Sequence, residues 1–145
     1  MSESAMEPMA LRASPIFAEL SQHDLQKVVA VGRRESFEPG QVIVTKGEMG
    51  DAMYVVLAGS AEVDVGGRFH TLKPGDFFGE MALVAAKKRT ATVKAVDTVE
   101  ALRIPGEGFR SFLLENPAVS VAILKAVVER LSEVQERIDA WMGTG

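Results

Sequence analysis

The chain has 145 residues, a length that fits one domain able to bury roughly two-thirds of its unfolded surface. Its 47% hydrophobic and 25% charged residues are those of an ordinary soluble globule, and a net charge of −4 argues against a sequence-independent grip on nucleic acid, which needs massed Lys and Arg. With no cysteine, disulfide frameworks, thiolate metal sites and cysteine nucleophiles are excluded.

The opening MSESAMEPMA is acidic and lacks the basic n-region and apolar h-region of a secretory signal. It reads as a disordered leader over residues 1–10, followed by one domain over 11–142. No apolar run approaches the ~18 residues of a membrane span, so the expected location is the cytoplasm, with no membrane segment. Ser14 to Phe17 (SPIF) reads as a short helical turn. Ser21 offers an N-cap oxygen, Asp24 stands near the positive helix end, and Leu25, Val28 and Val29 follow at helical spacing, which predicts an amphipathic helix over Ser21–Val31.

From about residue 32 to 105 the pattern changes to short runs of Val, Ile, Phe, Tyr and Thr cut by glycine turns, the punctuation of an all-β sandwich or barrel. Strands are expected at Arg34–Phe37, Val42–Lys46, Ala52–Ala58, Ser60–Val65, Arg68–Leu72, Thr92–Ala95 and Glu100–Ile104. Gly40, Gly47, Gly59 and Gly75 are the turn glycines expected at positive φ. Residues 106–142 return to helix: a short one over Glu107–Leu114, then a long one with Asn116 as cap and Pro117 at its first position, running to about Met142. Val127, Leu131, Val134, Ile138 and Trp141 recur at alternating spacings of four and three, a narrow seam of the coiled-coil kind.

The stretch FGEMALVAAKKRTATVKA, Phe78 to Ala95, sets Glu80 just after a glycine and Arg89 nine residues further on. A charge is costly to bury unless something pairs with it, so the two either pair with each other in a loop or serve a ligand. Arginine offers a planar fork suited to phosphate oxygens, and a helix starting near Gly79 points free N–H groups at the same anion. Ala82, Ala85 and Ala86 let a phosphate approach the backbone. Glu80, an acceptor only, suits a sugar hydroxyl rather than the phosphate. The ion-pair reading and the sugar-phosphate reading both remain open on these residues alone.

The same stretch resembles the phosphate-binding cassette of the cyclic nucleotide-binding domain family, found in catabolite activator proteins, protein kinase regulatory subunits and cyclic nucleotide-gated channels. Phe78-Gly79-Glu80-Met81-Ala82-Leu83, a five-residue spacer and Arg89-Thr90-Ala91-Thr92-Val93-Lys94-Ala95 follow the cassette pattern. Ile43 to Gly50 and Tyr54 to Gly59 fit a second family pattern around two turns. The resemblance runs from about Phe17 to Met142. It implies a mainly β fold with flanking helices (α+β): an antiparallel β-roll or jelly-roll barrel with an N-terminal helix, a short cassette helix and C-terminal helices. It further implies that Arg89 pairs with the cyclic phosphate and Glu80 accepts from the ribose 2′-hydroxyl. Gly79, Met81, Ala82, Leu83, Thr90 and Ala91 would complete the site.

The ligand so implied is cyclic AMP ahead of cyclic GMP, by the frequency of that ligand in the family, and no further cofactor. Two departures stand out. Lys88 occupies the position before Arg89 where many members have proline, with Lys87 before it. Val134 and Gln135 stand where some members place a hydroxyl pair on the long helix, so an apolar lid from Val134, Gln135, Ile138 and Trp141 is expected instead. The chain stops where a helix-turn-helix domain begins in activator-type members, and no nucleic acid is expected as a partner of this chain alone. A second copy paired through the long helix, or an effector domain, is the expected protein partner.

The function so implied is a non-catalytic sensor. A cupin-like metal enzyme is the rival reading, but its site wants three histidines and a carboxylate, and only His23 and His70 exist. Arg33-Arg34-Glu35-Ser36 resembles a basic-directed kinase site, set against the plainer reading of an exposed strand end.

Overall fold

The longest uninterrupted apolar run in the sequence is Ala52 to Ala58, and the fold is organised around it. The computed structural model describes residues 9–142. That run is β4 (Ala52–Ala58), buried on both faces: Met53, Val55 and Leu57 point to one core and Tyr54 and Val56 to another. Period-two alternation thus divides one strand's side chains between two hydrophobic clusters.

Among the described residues there are ten strands: β1 (Arg33–Phe37), β2 (Val42–Val44), β3 (Met49–Gly50), β4, β5 (Ala61–Val65), β6 (Arg68–Leu72), β7 (Phe77–Phe78), β8 (Lys87–Lys88), β9 (Thr92–Ala95) and β10 (Val99–Pro105). They form a sheet in the order β1-β10-β4-β7, a second in the order β2-β9-β5-β6, and a two-stranded β3-β8 ribbon, all antiparallel. The two large sheets enclose Phe37, Val44, Tyr54, Phe78, Val93 and Val99 between them and do not close, which makes the architecture an unclosed β-roll. Tyr54 stacks on Phe78 with ring centroids 5.1 Å apart, pinning β7 to β4.

Helices cover the outer face of the first sheet. These are α1 (Gln22–Val31), α2 (Gly106–Glu115) and α3 (Pro117–Trp141). Ser21 caps α1 as its sequence indicates, accepting from the Asp24 amide at 3.1 Å. Leu25 and Val28 of α1, Phe109 and Phe112 of α2, and Val119 and Ile123 of α3 meet Met53, Val55, Leu102 and Ile104 of the sheet. Phe17, from the SPIF turn, meets Phe109 edge-on with centroids 6.2 Å apart.

Several expectations are corrected. Asn116 stands at the N-cap of α3 with Pro117 first in the helix, as expected, but its side chain does not cap: its amide donates to the Phe112 carbonyl at 2.8 Å and its oxygen accepts from Lys27 Nζ at 3.4 Å. The expected strand Val42–Lys46 ends at Val44, because the Lys46 amide bonds the Thr92 hydroxyl rather than a ladder partner. Strands β3, β7 and β8 have no counterpart in the sequence reading. Of the expected leader, residues 1–8 lie outside the described residues, while Met9 and Ala10 open a helical turn that leads to the fully buried Leu11. Gly40, Gly47, Gly59 and Gly75 all take positive φ.

Ser36 answers the kinase-site resemblance with a structural role. Its hydroxyl donates to the Glu100 carboxylate directly across the β1–β10 pair, at 2.7 and 2.8 Å, and Arg34 Nε reaches the same carboxylate at 3.1 Å. The Ser36 hydrogen bond, with Arg34 beside it, holds the Glu100 carboxyl below its usual range against the opposing effect of burial.

Candidate functional site

Phe78 is the last residue of β7, and the chain must turn sharply there to leave the sheet. Gly79 makes the turn at φ +77°, a conformation that strains any residue with a side chain, and its carbonyl accepts from the Ala82 amide at 3.0 Å to open a 3-10 helix over Glu80–Leu83. The chain then passes through Val84–Ala86 to β8 and reaches Arg89. The Arg89 amide donates to the Glu48 carbonyl at 2.8 Å and its carbonyl accepts from the Gly47 amide at 2.8 Å, so the ribbon fixes where the side chain starts.

That side chain is half-buried and held from three sides. Arg89 Nη2 donates to the Ala52 carbonyl at 2.9 Å. The guanidinium lies so close to the backbone of Gly50 and of Gly79 that a methyl group on either would overlap it. Two glycines and one carbonyl therefore set the fork's orientation. One of its five N–H donors is spent on Ala52. Among the described residues Arg89 makes no ion pair, and in particular none with Glu80. The pairing of these two residues with each other, open in the sequence, is not what the structure contains.

A cavity of about 280 Å³ opens beside this guanidinium. Gly79, Glu80, Met81, Ala82, Arg89, Thr90 and Ala91 all line it, as do Lys87 and Lys88. Its remaining wall is apolar, built by Val44, Val63, Val65, Leu72, Phe77, Phe78 and Val93 from both sheets. Glu80 is exposed on the cavity wall and makes no hydrogen bond or ion pair among the described residues. The volume falls at the lower edge of the ~300–1,000 Å³ usual for small-molecule sites, a size for one mononucleotide rather than a larger ligand. A cationic fork at one end, a free carboxylate and an apolar wall can hold a compact molecule that joins an anion, a hydroxyl and a flat apolar group.

Leu83 closes the 3-10 helix. Ala82 is buried, and its carbonyl accepts from Arg110 Nη1 of α2 at 3.1 Å. Gly106, the first residue of α2, abuts the same carbonyl so closely that a methyl group there would overlap it. The cassette is thus tied directly to the C-terminal helices. The residues expected as a lid stand apart: Val134, Gln135, Ile138 and Trp141 lie along the outer half of α3, exposed, and none lines the cavity. Sequence reasoning missed Gly50, Ala52, Gly106 and Arg110. Only Gly50 left a trace, as the last residue of the Ile43–Gly50 stretch that fits the second family pattern; Ala52 and Gly106 act through a carbonyl and a close approach, and Arg110 through a bond to a main-chain oxygen, none of which a motif encodes. Among the described residues no three His, Asp or Glu side chains gather as a metal site, and no single helix is long and apolar enough to cross a membrane.

Comparison with known proteins identifies the family of the fold. The model of the cyclic nucleotide-binding domain family matches residues 34–116, more than half of the chain. The cAMP-dependent protein kinase regulatory subunit of Yarrowia lipolytica is 37% identical over 106 residues, covering 71% of this chain and 28% of that protein. The cyclic nucleotide-gated potassium channel mll3241 of Mesorhizobium japonicum is 36% identical over 118 residues, covering 81% of this chain and 33% of that protein. The chain thus spans about a third of the length of these curated relatives. Among solved structures, the N-terminal domain of a transcriptional regulator from Streptomyces coelicolor A3(2) superposes with a TM-score of 0.77 at 28% identity, over 89% of this chain and 94% of that one. On its cassette, its β-roll and these matches, the chain belongs to the cyclic nucleotide-binding domain family.

Proposed function

We propose that this chain is a non-catalytic sensor module, of a cytoplasmic protein, that binds cyclic AMP and reports occupancy through its C-terminal helix. One observation carries the reading: a half-buried arginine with no carboxylate partner among the described residues, its fork preset by Gly50, Gly79 and the Ala52 carbonyl on the wall of a mononucleotide-sized cavity. Arg89 takes the cyclic phosphate, Glu80 accepts from the ribose 2′-hydroxyl, and the valines of β5 and β9 face the base. The cAMP dependence named for the Yarrowia relative supports cyclic AMP as the ligand. Thr90, exposed on the cavity wall, supports cyclic GMP as the second reading, because its hydroxyl can meet a guanine amino group. Calorimetric titration with each nucleotide, with and without EDTA, tests the choice. Binding of neither overturns the reading, and an EDTA-sensitive signal would return the metal-site rival.

Two measurements test the finer roles. The 2′-deoxy form of cyclic AMP should bind about ten- to a hundredfold more weakly, ~1–3 kcal/mol, because Glu80 loses its donor. Glu80→Gln should shrink that gap; equal discrimination by both proteins would mean that the hydroxyl is read elsewhere. For the readout, α3 carries Val127, Leu131, Val134, Ile138 and Trp141 exposed on one seam, a face in search of cover from the nucleotide or from a second copy. A ligand shifts such a helix only by its differential affinity for two placements. Amide exchange over residues 127–141 should slow when cyclic AMP binds, and truncation after Leu131 should weaken binding. Identical protection with and without nucleotide would place the signal outside this helix.

A further inference from the structure

Arg89 accounts for how a cyclic phosphate is held, but two further cations stand on the same cavity wall without a task. Lys87 and Lys88 are the whole of β8, and their pairing with Gly50 and Met49 fixes them at the rim. Both are exposed and both line the cavity. Neither makes an ion pair among the described residues, although the chain as a whole carries four more negative than positive charges. Glu80 on the same cavity wall, and Glu48 and Asp51 flanking the ribbon, pair with neither lysine among the described residues. The mouth of the cavity is therefore a cationic spot on an acidic molecule.

Exposed charges hold a bound partner weakly, since water screens them and their side chains are mobile. They act earlier, by raising the local concentration of an oppositely charged ligand and the rate of productive encounter. We propose that Lys87 and Lys88 are the capture residues of this site: they draw the nucleotide monoanion to the mouth, and Arg89, deeper and fixed, retains it. The inference rests on the cyclic nucleotide reading above for its ligand. Two unit charges within about 8 Å of an approaching monoanion in water favour encounter by roughly fivefold at low salt, and a Debye length of about 8 Å at physiological ionic strength removes much of that gain.

Stopped-flow association of a base-labelled fluorescent cyclic AMP tests this with the full chain, comparing wild type, Lys87→Gln/Lys88→Gln and Lys87→Glu/Lys88→Glu. The Gln pair should associate about fivefold more slowly at low salt, the Glu pair more slowly still, and the differences should close as salt approaches about 0.5 M. Dissociation rates should stay within about twofold of wild type, because the lysines do not grip the bound ligand. Equal association rates, or a loss that falls on dissociation, would overturn the capture role. A wild type that binds neither cyclic nucleotide would overturn this role together with the functional reading, whereas binding with unchanged association removes the capture role alone.

Discussion

Arg89→Ala is expected to lower cyclic AMP affinity about a hundredfold, ~3 kcal/mol, in a calorimetric titration. Gly50, Gly79 and the cassette alanines on the cavity wall cannot neutralise a phosphate, and Lys87 and Lys88 on the same wall are exposed to screening water, so Arg89 is the half-buried cation of the site. Removing the fork leaves a partly desolvated anion without a charged partner, and that loss exceeds what a solvent-exposed ion pair would show. Stability should fall by only about 1 kcal/mol, since the Ala52 carbonyl loses its donor but faces a cavity that water can enter. Arg89→Lys keeps the charge without the two-pronged geometry and should fall between the two. A mutant that binds as tightly as wild type would remove Arg89 from the site.

Phe109→Ala is expected to cost ~3–5 kcal/mol of folding free energy, read as a large drop in the denaturant midpoint. Phe109 is fully buried and touches both Phe17 and Phe112, so its ring joins the N-terminal turn, α2 and the outer face of the first sheet. Neither neighbour can collapse into the space without leaving the contacts it makes elsewhere. Against a total stability of about 5–15 kcal/mol this is a large share, and saturating cyclic AMP should restore part of it if only the folded chain binds. A midpoint close to wild type would mean that the helical layer is not seated by this ring.

The fold was legible where local chemistry and burial point the same way. Ser21 announces its helix because a hydroxyl at the N-cap is both a local preference and the contact observed. Ala52–Ala58 announces a strand because two cores demand apolar residues on both of its faces. Asn116 marked the right boundary for α3 but not the right contact: the amide that suits a cap finds the Phe112 carbonyl and Lys27 instead. Two-residue strands such as Phe77–Phe78 and Lys87–Lys88 are too short for alternation to register. At the site, Glu80 and Arg89 were visible as residue types in a recognisable pattern. What orients Arg89 was not, because it consists of an absent methyl group at Gly50 and a main-chain oxygen at Ala52.

The carbonyl of Ala82 has a mechanical consequence. It is gripped by Arg110 and blocked by Gly106, so any displacement of the cassette is delivered to the first turn of α2 rather than absorbed by a soft loop. Beyond α2, the 25 residues of α3 form a rod about 37 Å long whose outer half is exposed among the described residues. On the readout proposed above, a tilt of about 5° at its root would carry the Trp141 end through ~3 Å, turning a sub-ångström adjustment around a phosphate into a movement large enough for a neighbouring domain to read.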